Sequence, residues 1–398
     1  MMGGFGFSTQ GEALMNRLKP DFGVVGEPDD MFAHFDDVLA HRHLDRIANL
    51  TYRSGGAYAF NPRVFLPPAN HVEYNEAIFR DLFNFYGEER ITGPEALHVP
   101  VEIQRGCPHR CYFCTEPTVK GRRHRTRDLD VVMADIRFLA DRDVSRVWLV
   151  CSEINIGNNK LLFEMADRMR ELNRGRTKHM AWSSYVLPNP QLERDEIRAL
   201  LNSAFEPSWN QFTSYHDENL KKTRVPYRAR HAIKSQLYWL EEEEDFRREQ
   251  GRPAQPLRLD MFLGNSYATA ETVSTTLRVA NELRFADRFD DALITRATRV
   301  FDLGEGLIGD SAESAYTFTP RGRLDEIDLL YPTFSYPQEL VKELGSAMAV
   351  DAFFAYVEDT FLSHAQRSRH DWRTFLTEAV DTNLLNEWCE ELRSVRGR

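Results

Sequence analysis

Between about residue 97 and residue 298, short β-rich runs alternate with longer helical patterns, and nothing else in the chain constrains its fold as tightly. The pattern predicts strands over Val99–Gln104, Arg146–Cys151, His179–Ser184, Asn210–Ser214, Leu257–Leu263 and Ala292–Thr298. Helices are predicted between them over Leu129–Ala140, Leu161–Leu172, Leu192–Leu201, Arg228–Glu249 and Glu271–Leu283. In the first helix, Val131, Val132, Ile136 and Leu139 place apolar side chains on one face, as a core-facing helix requires. Strands joined through helices of this length pair in parallel. The expectation is α/β, a partial (β/α)6 TIM-like barrel over residues 97–300, with functional residues at the C-terminal ends of its strands.

The flanks read differently. Residues 1–96 contain a short strand within Pro20–Gly26, a helical pattern over Asp30–Ala40, and turn-rich sequence through Pro62, Pro67 and Pro68. Residues 301–398 carry helical spacing after Pro337, over Leu340–Leu344, Val350–His364 and Trp372–Arg393, and predict an all-α C-terminal extension. The acidic run Glu241–Glu249 reads as the solvated end of a long helix, which Gly251–Pro256 then breaks.

The 398 residues suffice for two or three domains, and a hydrophobic content of 42% is ample for a core. The longest apolar runs, such as Val147–Cys151, are strand-sized and far short of the ~20 residues of a membrane span. Met1–Gln10 shows no basic-then-apolar secretory pattern, so Asn49-Leu50-Thr51 reads as a chance glycosylation acceptor. A net charge of −11 disfavours a general nucleic-acid binder. Five cysteines do not make a disulfide framework, and a reducing cytoplasm is expected.

Three of those cysteines lie within eight residues, in Arg105-Gly-Cys107-Pro-His-Arg-Cys111-Tyr-Phe-Cys114. The stretch follows the first predicted strand, which places it on a βα loop at the functional end of the sheet. Thiolates are soft ligands suited to iron–sulfur clusters or zinc. Zinc would need a fourth ligand, for which only His109 or His124 is close in sequence. A cubane held by three thiolates leaves one iron open to a substrate. Cys151 and Cys389 read as small buried residues, although Cys151 also lies beside Ser152 at the functional end. Lys120–Arg127 reads as a solvated basic loop, with contact to an anionic group or a redox partner as the alternative.

The cysteine loop resembles that of the radical S-adenosylmethionine superfamily, including an aromatic residue before the last cysteine, and the resemblance extends over roughly residues 97–300. It implies that Cys107, Cys111 and Cys114 hold a [4Fe–4S] cluster. S-adenosylmethionine would chelate the fourth iron and be cleaved reductively to a 5′-deoxyadenosyl radical. In this family a Gly-Gly-Glu motif ends the second strand and holds the cosubstrate's amino group. Cys151-Ser152-Glu153 stands there and assigns that contact to Glu153, with Asn155 a weaker neighbour. At the fourth strand Thr213 replaces the family's glutamate, and Ser214 matches its ribose-contacting serine. Gly264–Thr272 resembles the turn after the fifth strand, so backbone near Phe262 and Leu263 would flank the adenine. Thr269 and Glu271 read as a helix N-cap and a first-turn acid.

Gly3-Gly4-Phe5, Pro20–Glu27 and the Asn61–Pro67 linker resemble the tail of the cobalamin-binding domain fused to one branch of the family, in truncated or degenerate form. That leaves cobalamin open as a second cofactor. The implied function is a radical enzyme acting on a small molecule or peptide in specialised biosynthesis, with a flavodoxin or ferredoxin as electron donor. Methyl transfer is the reaction expected if cobalamin is kept, and radical rearrangement, cyclisation or group transfer if it is not. Polar methyl or aminocarboxypropyl transfer at the cluster, and a non-enzymatic redox or sensor protein, stand as alternatives.

Overall fold

A computed structural model describes residues 1–206 apart from 69, 94, 95, 113 and 115, and residues 214–251. Beyond these it describes 259–262, 265, 267–273, 275–276, 292–295, 316–319, 334–346, 349–350 and 353.

The N-terminal segment opens with α1 (Phe5–Leu18), β1 (Phe22–Val24), α2 (Asp29–Ala33) and α3 (Phe35–Leu39), followed by β2 (Leu50–Ser54) and β3 (Ala57–Phe60). The predicted strand is present, whereas the helical pattern from Asp30 breaks into two short helices at His34. β1, β2 and β3 form an antiparallel sheet in that order. The sequence before Pro62, turn-rich by composition, forms a hairpin instead. Ser54 pairs with Ala57, so Gly55–Gly56 is a two-residue turn, with φ of 59° and 87°. Glycine adopts such a pair without strain, which makes Gly-Gly between β-branched and aromatic residues a hairpin signal. Phe22, Val24, Met31, Val38, Ile47 and Leu50 form the core beneath this sheet.

After α4 (Glu76–Tyr86) and α5 (Glu89–Thr92) the main sheet begins with β4 (Val99–Glu102). Two short strands, β5 (Gln104–Arg105) and β6 (Arg125–Thr126), flank α6 (Glu116–Lys120). The chain then runs through α7 (Leu129–Ala140), β7 (Arg146–Val150), α8 (Lys160–Asn173), β8 (Ala181–Ser183) and α9 (Arg194–Asn202). β4, β7 and β8 are parallel neighbours in that order. Val101, Val147, Leu149 and Trp182 on one side of the sheet are buried with Val132, Ile136, Leu139, Leu162 and Met165 from the crossover helices. The opposite side carries Trp148 and Tyr185, edge to face at 4.9 Å and partly open.

The chain enters the fourth strand position earlier than predicted. Trp182 bridges Phe205 in parallel, donating to Ala204 O at 3.1 Å and accepting from the Glu206 N–H at 2.8 Å. Of the predicted strand Asn210–Ser214, only Ser214 falls within the described residues. Next come α10 (Asp217–Lys222), α11 (Ala229–Glu249), and β9 (Leu259–Phe262) paired in parallel with β10 (Ala292–Thr295). Among the described residues this pair and the β4–β7–β8 sheet are separate, and no sheet closes on itself.

The C-terminal expectation is corrected. Residues 301–398 are not all-α, because β11 (Tyr316–Thr319) and β12 (Phe334–Pro337) pair antiparallel before α12 (Gln338–Leu344). Aromatic residues alternating with Thr and Ser suit a strand better than a helix. The predicted helices over Val350–His364 and Trp372–Arg393 lie essentially outside the described residues. The acidic end of α11 is largely exposed, as expected, with Glu241 and Glu249 paired to Arg194 and Arg198 of α9 and Glu243 buried.

Candidate functional site

The three cysteines lie on a loop pinched at its base. β5 pairs antiparallel with β6, setting Gln104 opposite Thr126 and Arg105 opposite Arg125, so residues 106–124 project from a closed neck. Gly106 has φ +88°, and a Cβ there would collide with the backbone carbonyl of Arg123. This position needs glycine. The Cys107 N–H donates to Gly121 O and the Cys114 N–H to Cys111 O, both at 3.0 Å. Away from the neck, the Tyr112 N–H donates to Thr223 O at 2.9 Å, and its ring meets that of Tyr267 at 5.3 Å. Cys107 is buried, Cys111 and Cys114 are half-buried, and none is in a disulfide. The aromatic residue Phe113 lies outside the described residues.

Because β4, β7 and β8 are parallel, the residues following β7 and β8 emerge at the end that carries the loop. Ser152 Oγ donates to Gly106 O at 3.3 Å and lies 3.2 Å from Glu116 Oε1. Burial, reinforced by Glu116, pushes the Glu153 carboxyl up to about 8. Burial also raises Cys107 to about 11 and Cys114 to about 12, and moves Cys111 further still, with neighbouring sulfurs and Glu153 adding to it. The three are thiols until a metal displaces their protons.

The donor set fits an iron–sulfur cluster. Three sulfurs, one buried and two half-buried, share one short loop, and two neutral imidazoles stand within it with Nε2 atoms that are buried and unpartnered, those of His109 and His124. Burial lowers both, and for His109 the proximity of His124 adds to it. Buried polar atoms of this kind ordinarily have a partner. Among the described residues no three His, Cys, Asp or Glu side chains gather around one point as a single ion requires.

Other expected residues have structural partners. Cys151 is buried with Sγ 3.2 Å from Ser184 Oγ, and burial raises its thiol to about 12, in line with a packing role. Asn155 Nδ2 donates to Leu187 O at 3.0 Å and its Oδ1 accepts from the Leu187 N–H at 2.8 Å, pinning the loop after β7 to that after β8. Ser214 is buried and joined to Thr276 at 3.0 Å. Asn219 and Asn265 exchange amide hydrogen bonds at 2.9 Å, fastening α10 to the turn after β9, a pair the sequence did not signal. Thr269 caps the following helix, accepting from the Thr272 N–H at 3.2 Å, and Glu271 is in its first turn. Phe262 ends β9 opposite Thr295, while Leu263 and Thr213 lie outside the described residues.

The basic run 120–127 is largely not a solvated loop. Arg127 is fully buried against Asp135, and Arg125 forks onto Glu27 at 2.6 and 2.7 Å. Lys120 pairs with Glu116 at 3.1 Å, and Arg122 and Arg123 are exposed. Alternate arginines fall inward here because β6 is a strand, a pattern that a count of charges conceals. At Gly3–Gly4, a Cβ on Gly4 would meet nothing within 4 Å, and one on Gly3 would meet only Val24.

No protein-family model matches the chain. It is 28% identical over 156 residues to a bacteriochlorophyllide d C-8(2)-methyltransferase of Chlorobaculum tepidum, covering 37% of this chain and 31% of that protein. A tRNA-2-methylthio-N(6)-dimethylallyladenosine synthase of Syntrophobacter fumaroxidans is 27% identical over 217 residues, 52% of this chain and 45% of its own length. The chain therefore spans less than half of either curated relative. Among solved structures, the radical S-adenosylmethionine methyltransferase TsrM of Kitasatospora setae, with cobalamin and a [4Fe–4S] cluster bound, matches at a TM-score of 0.56 and 18% identity. That match covers 71% of this chain and 54% of TsrM. The cobalamin-dependent S-adenosylmethionine radical enzyme OxsB, with aqua-cobalamin and S-adenosylmethionine bound, matches over 96% of this chain and 57% of its own, at a TM-score of 0.60 and 12% identity. These likenesses establish a shared fold.

Proposed function

We propose, for a chain that belongs to the radical S-adenosylmethionine superfamily, that Cys107, Cys111 and Cys114 hold a [4Fe–4S] cluster and that S-adenosylmethionine binds at its open iron. The observation that carries this reading is the pinched loop of one buried and two half-buried thiols at the C-terminal end of a parallel sheet, next to Glu153. When bound, the cluster supplies an electron that breaks a sulfonium C–S bond of the cosubstrate. Gly106 lets the loop turn back on its own neck, and Tyr112 packs the far side of the loop against Tyr267. Glu153 takes the cosubstrate's ammonium, which returns its raised carboxyl to the ionised form. Ser214 and the backbone at Phe262 and Leu263 flank the nucleoside.

The substrate we propose is a small molecule or peptide, and the reaction methyl transfer, in keeping with the methyltransferases among the similar proteins. A flavodoxin or ferredoxin serves as electron donor. Residues 97–300 act as the six-unit catalytic barrel, with residues 1–96 and 301–398 as flanking segments. Cobalamin is the second cofactor to test, because methyl transfer is the reaction expected where it is kept.

Anaerobic reconstitution with iron and sulfide tests the reading. The full chain gains the broad visible absorbance of a cluster, and Cys107→Ala, Cys111→Ala and Cys114→Ala each lose it. Unchanged absorbance in the triple variant would falsify the cluster assignment. Reductive turnover releases 5′-deoxyadenosine. Formation of S-adenosylhomocysteine or methylthioadenosine without it establishes polar transfer, and an intact cluster that never cleaves S-adenosylmethionine establishes a redox or sensor protein. Methylated product that depends on added cobalamin assigns that cofactor.

A further inference from the structure

At the neck of the cysteine loop two arginines stand opposite each other, since Arg105 and Arg125 are register partners of β5 and β6. Like charges opposed across a strand pair repel. Carboxylates remove the conflict. Arg105 forks onto Glu102 at 2.6 and 2.7 Å and reaches Asp29 at 2.7 Å. Arg125 forks onto Glu27 at 2.6 and 2.7 Å, and Glu27 also lies 3.9 Å from Arg105. Glu27 is only 5% exposed and accepts from the Leu66 N–H at 3.0 Å. Arg125 also donates to the carbonyls of Leu66 and Lys120. From the same N-terminal segment, Arg63 donates to Thr118 O in α6 at 3.1 Å and to Ser8 O at 2.9 Å. Residues 27–66 therefore grip the loop at its neck and again at the helix that follows the last cysteine.

We propose that Glu27 and Asp29 are positioning residues for the cluster, and that the N-terminal segment works as an electrostatic latch on the cysteine loop. Neutralised, the two guanidiniums hold the neck shut. Without Glu27, Arg125 keeps a half-buried charge whose forked partner is gone, and the neck opens. The uncompensated cation also favours the more negative, reduced state of a nearby cluster, which raises its potential. The spectroscopic part of this proposal rests on the cluster assignment above, while the loop-closure part does not.

The test uses the full chain with Glu27→Gln, and with Asp29→Asn as a second variant that disturbs a more exposed contact. In the metal-free proteins we expect amide exchange over residues 104–127 to quicken by about tenfold, with the rest of the sheet unchanged. After reconstitution we expect less iron and sulfide per chain and a more positive midpoint potential. Adding Arg125→Gln to Glu27→Gln removes the orphaned cation and brings the potential back toward the unmodified value, which a merely structural defect does not do. Unmodified exchange rates and an unmodified potential in both single variants overturn the latch. If Glu27→Gln does not fold, Asp29→Asn decides by the same two readings. Should the unmodified chain take up no cluster, the cluster assignment falls, and exchange in the metal-free chain still decides the latch.

Discussion

Arg127 Nη2 donates to the Asp135 carboxylate at 2.9 Å, and both side chains are fully buried. Asp135 also accepts from the backbone N–H groups of Glu73 and Tyr74 at 2.7 and 2.8 Å. Arg127 also donates to the carbonyls of Glu102 and His71 at 2.8 and 2.7 Å. One ion pair thus joins β4, α7, the strand that closes the loop neck and the chain leading into α4.

Removing one member of such a pair strands the other charge in the core. Asp135→Asn should cost about 3–5 kcal/mol, read as a fall in the midpoint of urea unfolding. A loss no larger than that of an exposed carboxylate would mean the pair contributes nothing beyond its neighbours.

Gly106→Ala should block cluster uptake while sparing the fold. The added methyl meets the Arg123 backbone at a residue with φ +88°, so the loop must shift where Cys107 is anchored. Circular dichroism should be unchanged and bound iron reduced. Full iron loading would show that the loop tolerates a different neck.

Glu206 should shape the acid limb of stability. Burial pushes its carboxyl up, but the hydrogen bond with His98 and the charge of Arg146 outweigh this and leave it below the usual 4.5. A depressed value means that the ionised form stabilises the fold above 4.5, and that this contribution drains away as pH falls through the folded value. Unfolding measured across that range should steepen for the unmodified chain and flatten for Glu206→Gln. Equal slopes would remove Glu206 from the account.

Glu153→Gln in the reconstituted chain should weaken S-adenosylmethionine binding by roughly ten- to a hundredfold, the usual worth of a hydrogen bond to a charged group. Equilibrium binding checks this, and unchanged affinity would move the ammonium contact to another residue.

The alternation of β-rich and helical runs was enough to place β4, β7 and β8 with their crossover helices, and the three-cysteine spacing enough to place the loop at the end of β4. Both are local signals, a period of 2 or 3.6 and a short motif, so they survive without any knowledge of contacts. Gly-Gly at 55–56 and the alternating aromatics at 316–319 and 334–337 are equally local signals, the first within sequence that reads as turn-rich and the others within an extension that reads as all-α. The rest was decided by contacts between segments far apart in sequence. Arg125 is 98 residues from Glu27, and Ser214 is 62 from Thr276. Nothing in the run 120–127 distinguishes Arg127, sealed in the core, from Arg123 in solvent, because burial depends on which strand a residue joins and what packs over it. The sequence by itself determined the donors and the end of the sheet where they lie; only the tertiary structure decided which charges hold that loop closed, since a buried charge is tolerated only where a distant partner arrives to neutralise it.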